Sequence, residues 1–392
     1  MIKIEIDDKI KTEIEKLHWK WFWNRAKVKK INFKFANGLS LSLKAITFFE
    51  IFFNWDHDDL EDIITSNYDE LTKKTSLSSG FYKNYEKNLD WLNKACGENT
   101  KKIIQDAFGY NNFENGNFIG DDKWSAYKFT QLLNLDSCPY CGRQYIFTIG
   151  DNNEKKGRPQ IDHFFPQDDY PYLSCSIYNF IPSCPACNLQ KKDIFNKFTV
   201  TEKQNSYPRL KWENNFASIL YPYTESFEDK NSKGESYAKF HVFYKETQQD
   251  EFLDTPKSKT SLNDVISVGI KVNDSQIKDK IHNSIEAFHL NELYSCHKIE
   301  LEDLLTRYRN YSKPKIDEIT KLIVNAQLNI QASDDTVNQV AKIYTKRIKR
   351  TILGLPLGAG DKQYPLRKFK EDIIEQLDNT RQKMKDEAKS NK

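Results

Sequence analysis

"CPYC" occupies residues 138–141, "IDHFFP" residues 161–166 and "IPSCPACNLQKKD" residues 181–193. Each Cys-x-x-C pair has the spacing of a zinc knuckle, and two pairs supply the four thiolates of a tetrahedral zinc site. Two unrelated redox pairs are the disfavoured alternative. The cysteines predicted to bind zinc are Cys138, Cys141, Cys184 and Cys187. Because four protein ligands leave no position open for water, we expect this zinc to stabilise structure rather than to catalyse a reaction.

Residues suited to phosphate chemistry lie between the cysteine pairs and just after them. Asp162 and His163 end an extended run, and Asn179 lies in the next apolar run. Asn188 directly follows the last cysteine. Carboxylate and amide oxygens suit Mg²⁺ or Mn²⁺, and a neighbouring imidazole can accept a proton from water that attacks phosphorus. Such an ion would neutralise charge on the scissile phosphate, so the pattern indicates phosphodiester hydrolysis.

Basic residues flank the same stretch. Lys191 and Lys192 follow Asn188 on a predicted helix that begins near Pro185, and Arg143 follows the first cysteine pair. Residues three and four positions apart lie on neighbouring parts of a helix surface, so the lysines can accompany Asn188. We expect these three cations to contact the phosphates of a nucleic acid.

The motifs resemble those of the HNH endonuclease family, whose ββα-metal fold is often stapled by a zinc of this kind. The resemblance covers residues 136–198, through "CPYC", "IDHFFP", "YNFIPSC" and "CPACNLQKKD". It implies that His163 is the general base and that Asn179 fixes the base and its loop. It also implies that Asp162 and Asn188 bind the catalytic Mg²⁺ or Mn²⁺. The family has His or Asn at the last position, so this chain is an H-N-N variant.

The resemblance implies a metal-dependent endonuclease that hydrolyses DNA. An RNA endonuclease acting on tRNA with the same site, and a zinc-containing nucleic-acid-binding subunit without catalysis, stay open as alternatives. "FHLNELY" at residues 288–294 and "YPLRKFKEDI" at residues 364–373 are similar to stand-alone HNH nucleases of bacterial anti-phage defence, including the Septu type. That weaker likeness implies antiviral defence and an ATPase partner protein from the same operon.

Each candidate residue also has a structural interpretation. A lone Asp-His pair is most often a surface pair or a satisfied core histidine. Asn179 could be a turn residue, and Asn188 a helix cap. Only their occurrence together, around one cysteine group, favours catalysis.

Composition limits the function classes. The chain has 392 residues, 59 basic and 56 acidic, and a net charge of +3, so any nucleic-acid surface must come from local clusters. The apolar run at residues 45–55 is too short for a bilayer span and contains Glu50. With no secretory signal pattern, we expect a cytoplasmic protein with reduced thiols and no membrane contact.

The predicted fold class is α+β, with mainly helical N- and C-terminal regions around the small zinc-stapled module. The predicted domains are residues 1–125 (helical), 126–200 (HNH module) and 201–392 (mixed, then helical). We expect a turn-rich linker at residues 113–122, one long helix at 277–311, and a last helix at 366–382 before a solvated tail.

An aromatic and basic run at residues 18–35 contains Trp19, Trp21 and Trp23 among lysines and arginine. Aromatic rings and cations together can bind single-stranded nucleic acid. An amphipathic core element is the favoured interpretation of this run.

Overall fold

The computed structural model describes residues 1–32, 56–75, 80–88, 100–116, 123–191, 219–244, 266–311, 315–322, 345–357 and 364–390, with single-residue gaps at 82, 86, 152, 275, 321 and 346. The described residues form helices and three two-stranded antiparallel sheets, which is an α+β fold. They divide into two compact units. The first comprises Met1–Ser226 and Asp279–Phe288, and the second comprises Phe227–Lys278 and His289–Lys392.

The predicted boundary at residue 125 falls inside the first unit, and the boundary at residue 200 falls outside the described residues. The helices of the first unit that precede the cysteines are α1 (Asp8–Asn32), α2 (His57–Thr65), α3 (Tyr68–Thr75), α4 (Thr100–Phe108), α5 (Tyr110–Asn115) and α6 (Ala126–Leu133).

Helix α1 is a core element of the first unit, as the favoured interpretation of its aromatic run predicts. Trp21 and Phe22 are buried. His18 is fully buried, and its ring is fixed at both nitrogens: Trp124 Nε1–H donates to Nδ1 at 2.8 Å, and Nε2 donates to the Cys175 carbonyl at 2.7 Å. The first bond attaches α1 to the residues just before α6, and the second attaches it to the segment that contains Cys175.

Two short hairpins follow α6. Strands β1 (Ile149–Gly150) and β2 (Lys155–Gly157) form one, and β3 (Gln160–His163) and β4 (Phe180–Ser183) form the other. In the second hairpin Asp162 pairs with Ile181 and His163 with Phe180. Residues 143–150 are β-branched and aromatic, which is typical of a strand, but only Ile149 and Gly150 of them lie in one. The run predicted at residues 158–166 contains β3.

Helix α7, residues 185–191, begins at Pro185 as predicted. Proline suits the first helical position because its fixed φ matches the helix and its missing N–H would have no partner there. The sequence between β3 and β4 forms two short 3₁₀ turns, Pro171–Leu173 and Ile177–Asn179.

The prediction of a linker at residues 113–122 is wrong for residues 113–115. Residues 117–122 lie outside the described part of the chain. Residues 113–115 belong to α5, and Phe113 is completely buried. Gly109 and Gly116 bracket this helix with φ of 83° and 67°, a left-handed backbone that glycine adopts without strain. The glycine of "FENGN" therefore ends a helix.

The second unit contains β5 (Ala238–Tyr244) paired with β6 (Ile266–Val272), and helices α9 (Leu290–Ser295), α10 (Lys298–Asn310) and α11 (Arg367–Ser390). Asp372 and Gln376, one turn apart on α11, accept hydrogen bonds from the backbone N–H of Phe240 and Val242 at 2.8 and 3.0 Å. These side chains accept the backbone hydrogen bonds of β5 on the edge that does not pair with β6.

The single helix predicted at residues 277–311 is wrong. It is three helices, α8 (Lys278–Ala287), α9 and α10, because His289 adopts a left-handed φ of 47° just after the buried Phe288. His282, His289 and His297 therefore do not share one helix face. Strand β6 is absent from the predicted elements. Helix α11 continues through the predicted tail to Ser390.

Within the described residues, no helix combines the length and the apolar character that a membrane crossing requires.

The buried His18 predicts a specific pH dependence. Burial lowers its pKa from 6.5 to about 4, so between these values the unfolded chain binds more protons than the folded chain. The free energy of unfolding should therefore fall as pH drops from 6.5 towards 4, by up to about 3 kcal/mol from this group. Urea unfolding of wild type and His18→Gln across this range measures it. The difference between the two proteins should shrink on acidification, and parallel curves would contradict the assignment.

Candidate metal and catalytic site

The four predicted cysteines come together in the first unit. The Sγ atoms of Cys138, Cys141, Cys184 and Cys187 lie within 4.8 Å of one another, and all four residues are buried. Tetrahedral zinc with Zn–S bonds of about 2.3 Å requires sulfur separations of about 3.8 Å. The group could therefore hold a metal ion such as zinc.

Backbone N–H groups near the sulfurs stabilise negative charge on them. The backbone N–H groups of Cys184 and Cys187 point at Cys138 Sγ and Cys184 Sγ, at 3.4 and 3.5 Å. Hydrogen bonds from neighbouring thiols hold the pKa of Cys141 well below its usual value, whereas burial raises the pKa of Cys138. A thiolate is thus favoured inside the group, and a bound cation would offset the burial of further charge.

His163 is the last residue of β3 and is half-buried. Its Nε2 lies 3.0 Å from the Ser174 carbonyl oxygen, and its ring packs edge-on against Tyr110 and Phe180 with centroids 4.4 and 5.3 Å apart. A carbonyl oxygen only accepts hydrogen bonds, so Nε2 carries the proton. The lone pair of the neutral ring is therefore on Nδ1, and the tautomer is set by the backbone.

Asn179 is completely buried and fixes the chain around His163. Its Oδ1 accepts from the Phe165 N–H at 2.6 Å, and its Nδ2 donates to the carbonyls of Phe165 and Leu173 at 3.0 Å each. Leu173 precedes Ser174, whose carbonyl holds the imidazole. The amide of Asn179 therefore secures both ends of the turn that orients His163.

Asp162 is buried and paired. Its Oδ2 accepts from Tyr140 Oη–H at 2.6 Å and from Lys191 Nζ at 2.5 Å. The same ammonium donates to the His163 carbonyl at 2.7 Å, and the Lys191 side chain is only 2% exposed. Lys191, predicted to contact phosphate, is thus placed inside the first unit, where it neutralises Asp162.

Asn188 lies near the same face of β3. Its Nδ2 donates to Gln160 Oε1 at 2.8 Å, while its buried Oδ1 has no hydrogen-bond partner within the described part of the chain. Gln160 and Asp162 are two positions apart on β3, so their side chains leave the same face. Asn188 and Lys191, three residues apart on α7, contact Gln160 and Asp162 respectively. Asn188 and Asp162 therefore lie on one side of the strand.

His163 follows Asp162 in the strand, so its side chain leaves the opposite face. The structure therefore places Asp162 and Asn188 on one side of the end of β3, and the side chain of His163 on the other. Arg143 is half-buried in the turn after the first cysteine pair. Lys192 lies outside the described residues.

Three contributing residues were missed by the sequence reasoning. Tyr140 lies inside the first Cys-x-x-C pair, Gln160 is one strand repeat before Asp162, and Ser174 contributes only a backbone carbonyl. Strand alternation could have indicated Gln160. No side-chain pattern could have indicated Ser174.

A second group of ligand-type residues is His57, Asp58 and Glu61. All three lie at the exposed start of α2, where Asp56 accepts hydrogen bonds from the N–H groups of Asp58 and Asp59 at 2.9 and 3.1 Å. Acidic residues at a helix start are explained by capping and by the helix dipole.

Comparisons with known proteins add no relative: no protein-family model, no curated protein and no solved structure matches this chain.

Removing one sulfur tests the cysteine group. Cys184→Ser should lose most of the bound metal and melt at a lower temperature, because the ion holds two distant chain segments together. Elemental analysis by mass spectrometry and a thermal melt measure the two effects. Cys296→Ser, at an exposed cysteine, is the matched control and should retain both properties. Full metal content in Cys184→Ser would show that this group is not the binding site.

Proposed function

We propose that this chain is a metal-dependent endonuclease of the HNH type that hydrolyses phosphodiester bonds in DNA. The single observation that carries the proposal is the imidazole of His163, held by a backbone carbonyl beside the strand position of Asp162. In this proposal zinc occupies the four-cysteine group, and Mg²⁺ or Mn²⁺ binds near Asp162 and Asn188. The central residues then form the ββα-metal module, with β3, β4 and α7 as its elements.

The proposed role of His163 is to take the proton from the attacking water at Nδ1. The Ser174 carbonyl keeps Nε2 protonated, so a neutral ring carries its lone pair on Nδ1. As the ring becomes positively charged, the same carbonyl dipole stabilises it. Asn179 acts through the turn and is a positioning residue.

Asn188 is the residue that best suits the binding of a divalent ion. An amide oxygen is a hard ligand, and the buried Oδ1 otherwise has no partner among the described residues. Asp162 supplies the negative charge, which Lys191 neutralises in this structure. Because an ammonium and a divalent cation repel each other, Lys191 and the ion compete for this carboxylate. When bound, the ion would supply charge neutralisation on the scissile phosphate.

Replacement of the base tests the proposal directly. Wild type should nick plasmid DNA in Mg²⁺ or Mn²⁺ and not in EDTA, and His163→Ala should lower the rate by about a hundredfold or more. Gel analysis of supercoiled, nicked and linear plasmid measures the rates. His282→Ala, at an exposed histidine of α8, is the control and should cleave like wild type. Unchanged cleavage by His163→Ala would refute the role of this imidazole.

The same assay separates the alternatives. Plasmid retardation without cleavage by wild type would favour a non-catalytic binding subunit. Cleavage of tRNA but not of plasmid would assign the site to RNA. The ATPase partner, the role in anti-phage defence and the cytoplasmic location stay predictions.

Asn179→Asp should separate positioning from folding. Aspartate keeps an acceptor for the Phe165 N–H but loses the two donations to the carbonyls of Phe165 and Leu173. We expect the turnover rate to fall by about a hundredfold because the imidazole is misplaced, with little change in KM for DNA. Steady-state cleavage kinetics on a fluorescent oligonucleotide, with metal content measured in parallel, provide the check. A normal turnover rate in this variant would contradict the positioning role.

A further inference from the structure

We propose that Tyr145 and Phe147 form a platform on which bases of an unpaired DNA strand stack. The inference rests on the proposed nuclease function and narrows its substrate to DNA with a single-stranded segment. It concerns the residues between the first cysteine pair and β1. This segment contains none of the proposed metal ligands and not the proposed general base.

This segment exposes large apolar side chains on one side. Tyr145, Phe147 and Ile149 are 48%, 50% and 56% exposed, whereas the intervening Ile146 is only 5% exposed. The rings of Tyr145 and Phe147 contact each other, so these two side chains face the same way, and the exposed Ile149 follows at the same spacing. Single exposed hydrophobic residues are ordinary, but a contiguous row indicates a binding surface.

The row is rigidly attached to the cysteine group. The Cys138 N–H donates to the Gln144 carbonyl at 2.9 Å, and the Ile146 N–H donates to the Asp136 carbonyl at 3.0 Å. Ser137 and Tyr145 also form an antiparallel bridge. The backbone that carries the aromatic rings is therefore ordered before any ligand binds, which reduces the entropy lost on binding.

The two rings already form a stack. Tyr145 and Phe147 have ring centroids 4.8 Å apart and planes inclined by 27°. A nucleobase presents a flat π surface and can extend such a stack irrespective of sequence. In duplex DNA the base faces are already stacked on one another, so the platform should select bases that are unpaired.

Cations lie on the adjoining hairpin. Strand β2 carries the exposed Lys155 and Lys156, and it pairs with β1 at Ile149 and Gly150. Lys156 pairs with the exposed Glu154, and Lys155 contacts the Asn115 carbonyl. Exposed ion pairs are weak, so the ammonium group of Lys156 can turn to a phosphate. A row of rings beside cations complements a polynucleotide strand, whose bases and phosphates alternate in the same way.

The segments that carry the platform and Asn188 are connected through the cysteine group. Leu189, which follows Asn188, is 61% exposed. Cys141 precedes the platform in the sequence, and Cys187 directly precedes Asn188. Both cysteines belong to one sulfur cluster, so the two chain segments begin close together. Three side chains are too few for a stable protein interface, which buries about 800 Å² on each partner. The row is, however, wide enough for one or two bases.

Binding without cleavage tests the platform. Wild type in buffer without added Mg²⁺ or Mn²⁺, where the proposed chemistry cannot run, should bind a fluorescent oligothymidylate more tightly than a duplex of the same length. Tyr145→Ala/Phe147→Ala should weaken oligothymidylate binding by about tenfold or more, as expected for lost stacking on a base. Tyr145→Trp/Phe147→Trp should bind like wild type because it retains the aromatic faces. Fluorescence anisotropy measures all four affinities.

Controls distinguish the possible failures. Tyr364→Ala removes an exposed tyrosine of the second unit and should bind normally. Wild-type affinity in the double alanine variant, or no preference for the single strand, would overturn the platform. A changed sedimentation coefficient with unchanged DNA binding would reassign the surface to self-association. His163→Ala should bind oligothymidylate normally, so loss of cleavage and loss of stacking report separately on the two proposals.

Discussion

The four-cysteine group is the constraint on which the candidate site depends. It joins two knuckles far apart in the sequence and fixes the start of α7 relative to the hairpin of β3 and β4. The hairpin is only four residues long on each side, and a hairpin of this size is marginal alone. Contacts from α1, where His18 bonds Trp124 and the Cys175 carbonyl, hold its connecting segment from outside. A bound metal ion would add its binding energy to the folding of this unit.

In the proposed function, the two faces of β3 have different tasks. On one face, buried charges balance: Asp162 accepts from Tyr140 and from the ammonium of Lys191. On the other face, Asn179 orders the turn whose Ser174 carbonyl holds the imidazole. An endonuclease needs both halves, because one neutralises the phosphate and the other handles the proton. Meeting at a common phosphate is what the proposal requires of them.

The sequence predicted the parts of this site that depend on residue type and spacing. Cysteine spacing predicted the sulfur group, and Pro185 predicted the start of α7. The sequence could not predict that Lys191 turns inward to Asp162, because helix periodicity allows the side chain to face either solvent or a buried carboxylate. Nor could it predict the break at His289 or the strand β6, which depend on tertiary packing rather than on local pattern.

The central claim is that the hard-ion ligands and the imidazole of His163 serve one phosphate. Paramagnetic Mn²⁺ tests it most directly, because the ion broadens nuclear magnetic resonance signals only of nearby nuclei. In protein with isotope-labelled histidines, substoichiometric Mn²⁺ should remove the ring signals of His163 while those of His282 persist. Asn188→Ala should restore them at the same Mn²⁺ concentration. Sharp His163 signals in wild type at saturating Mn²⁺ would contradict the account.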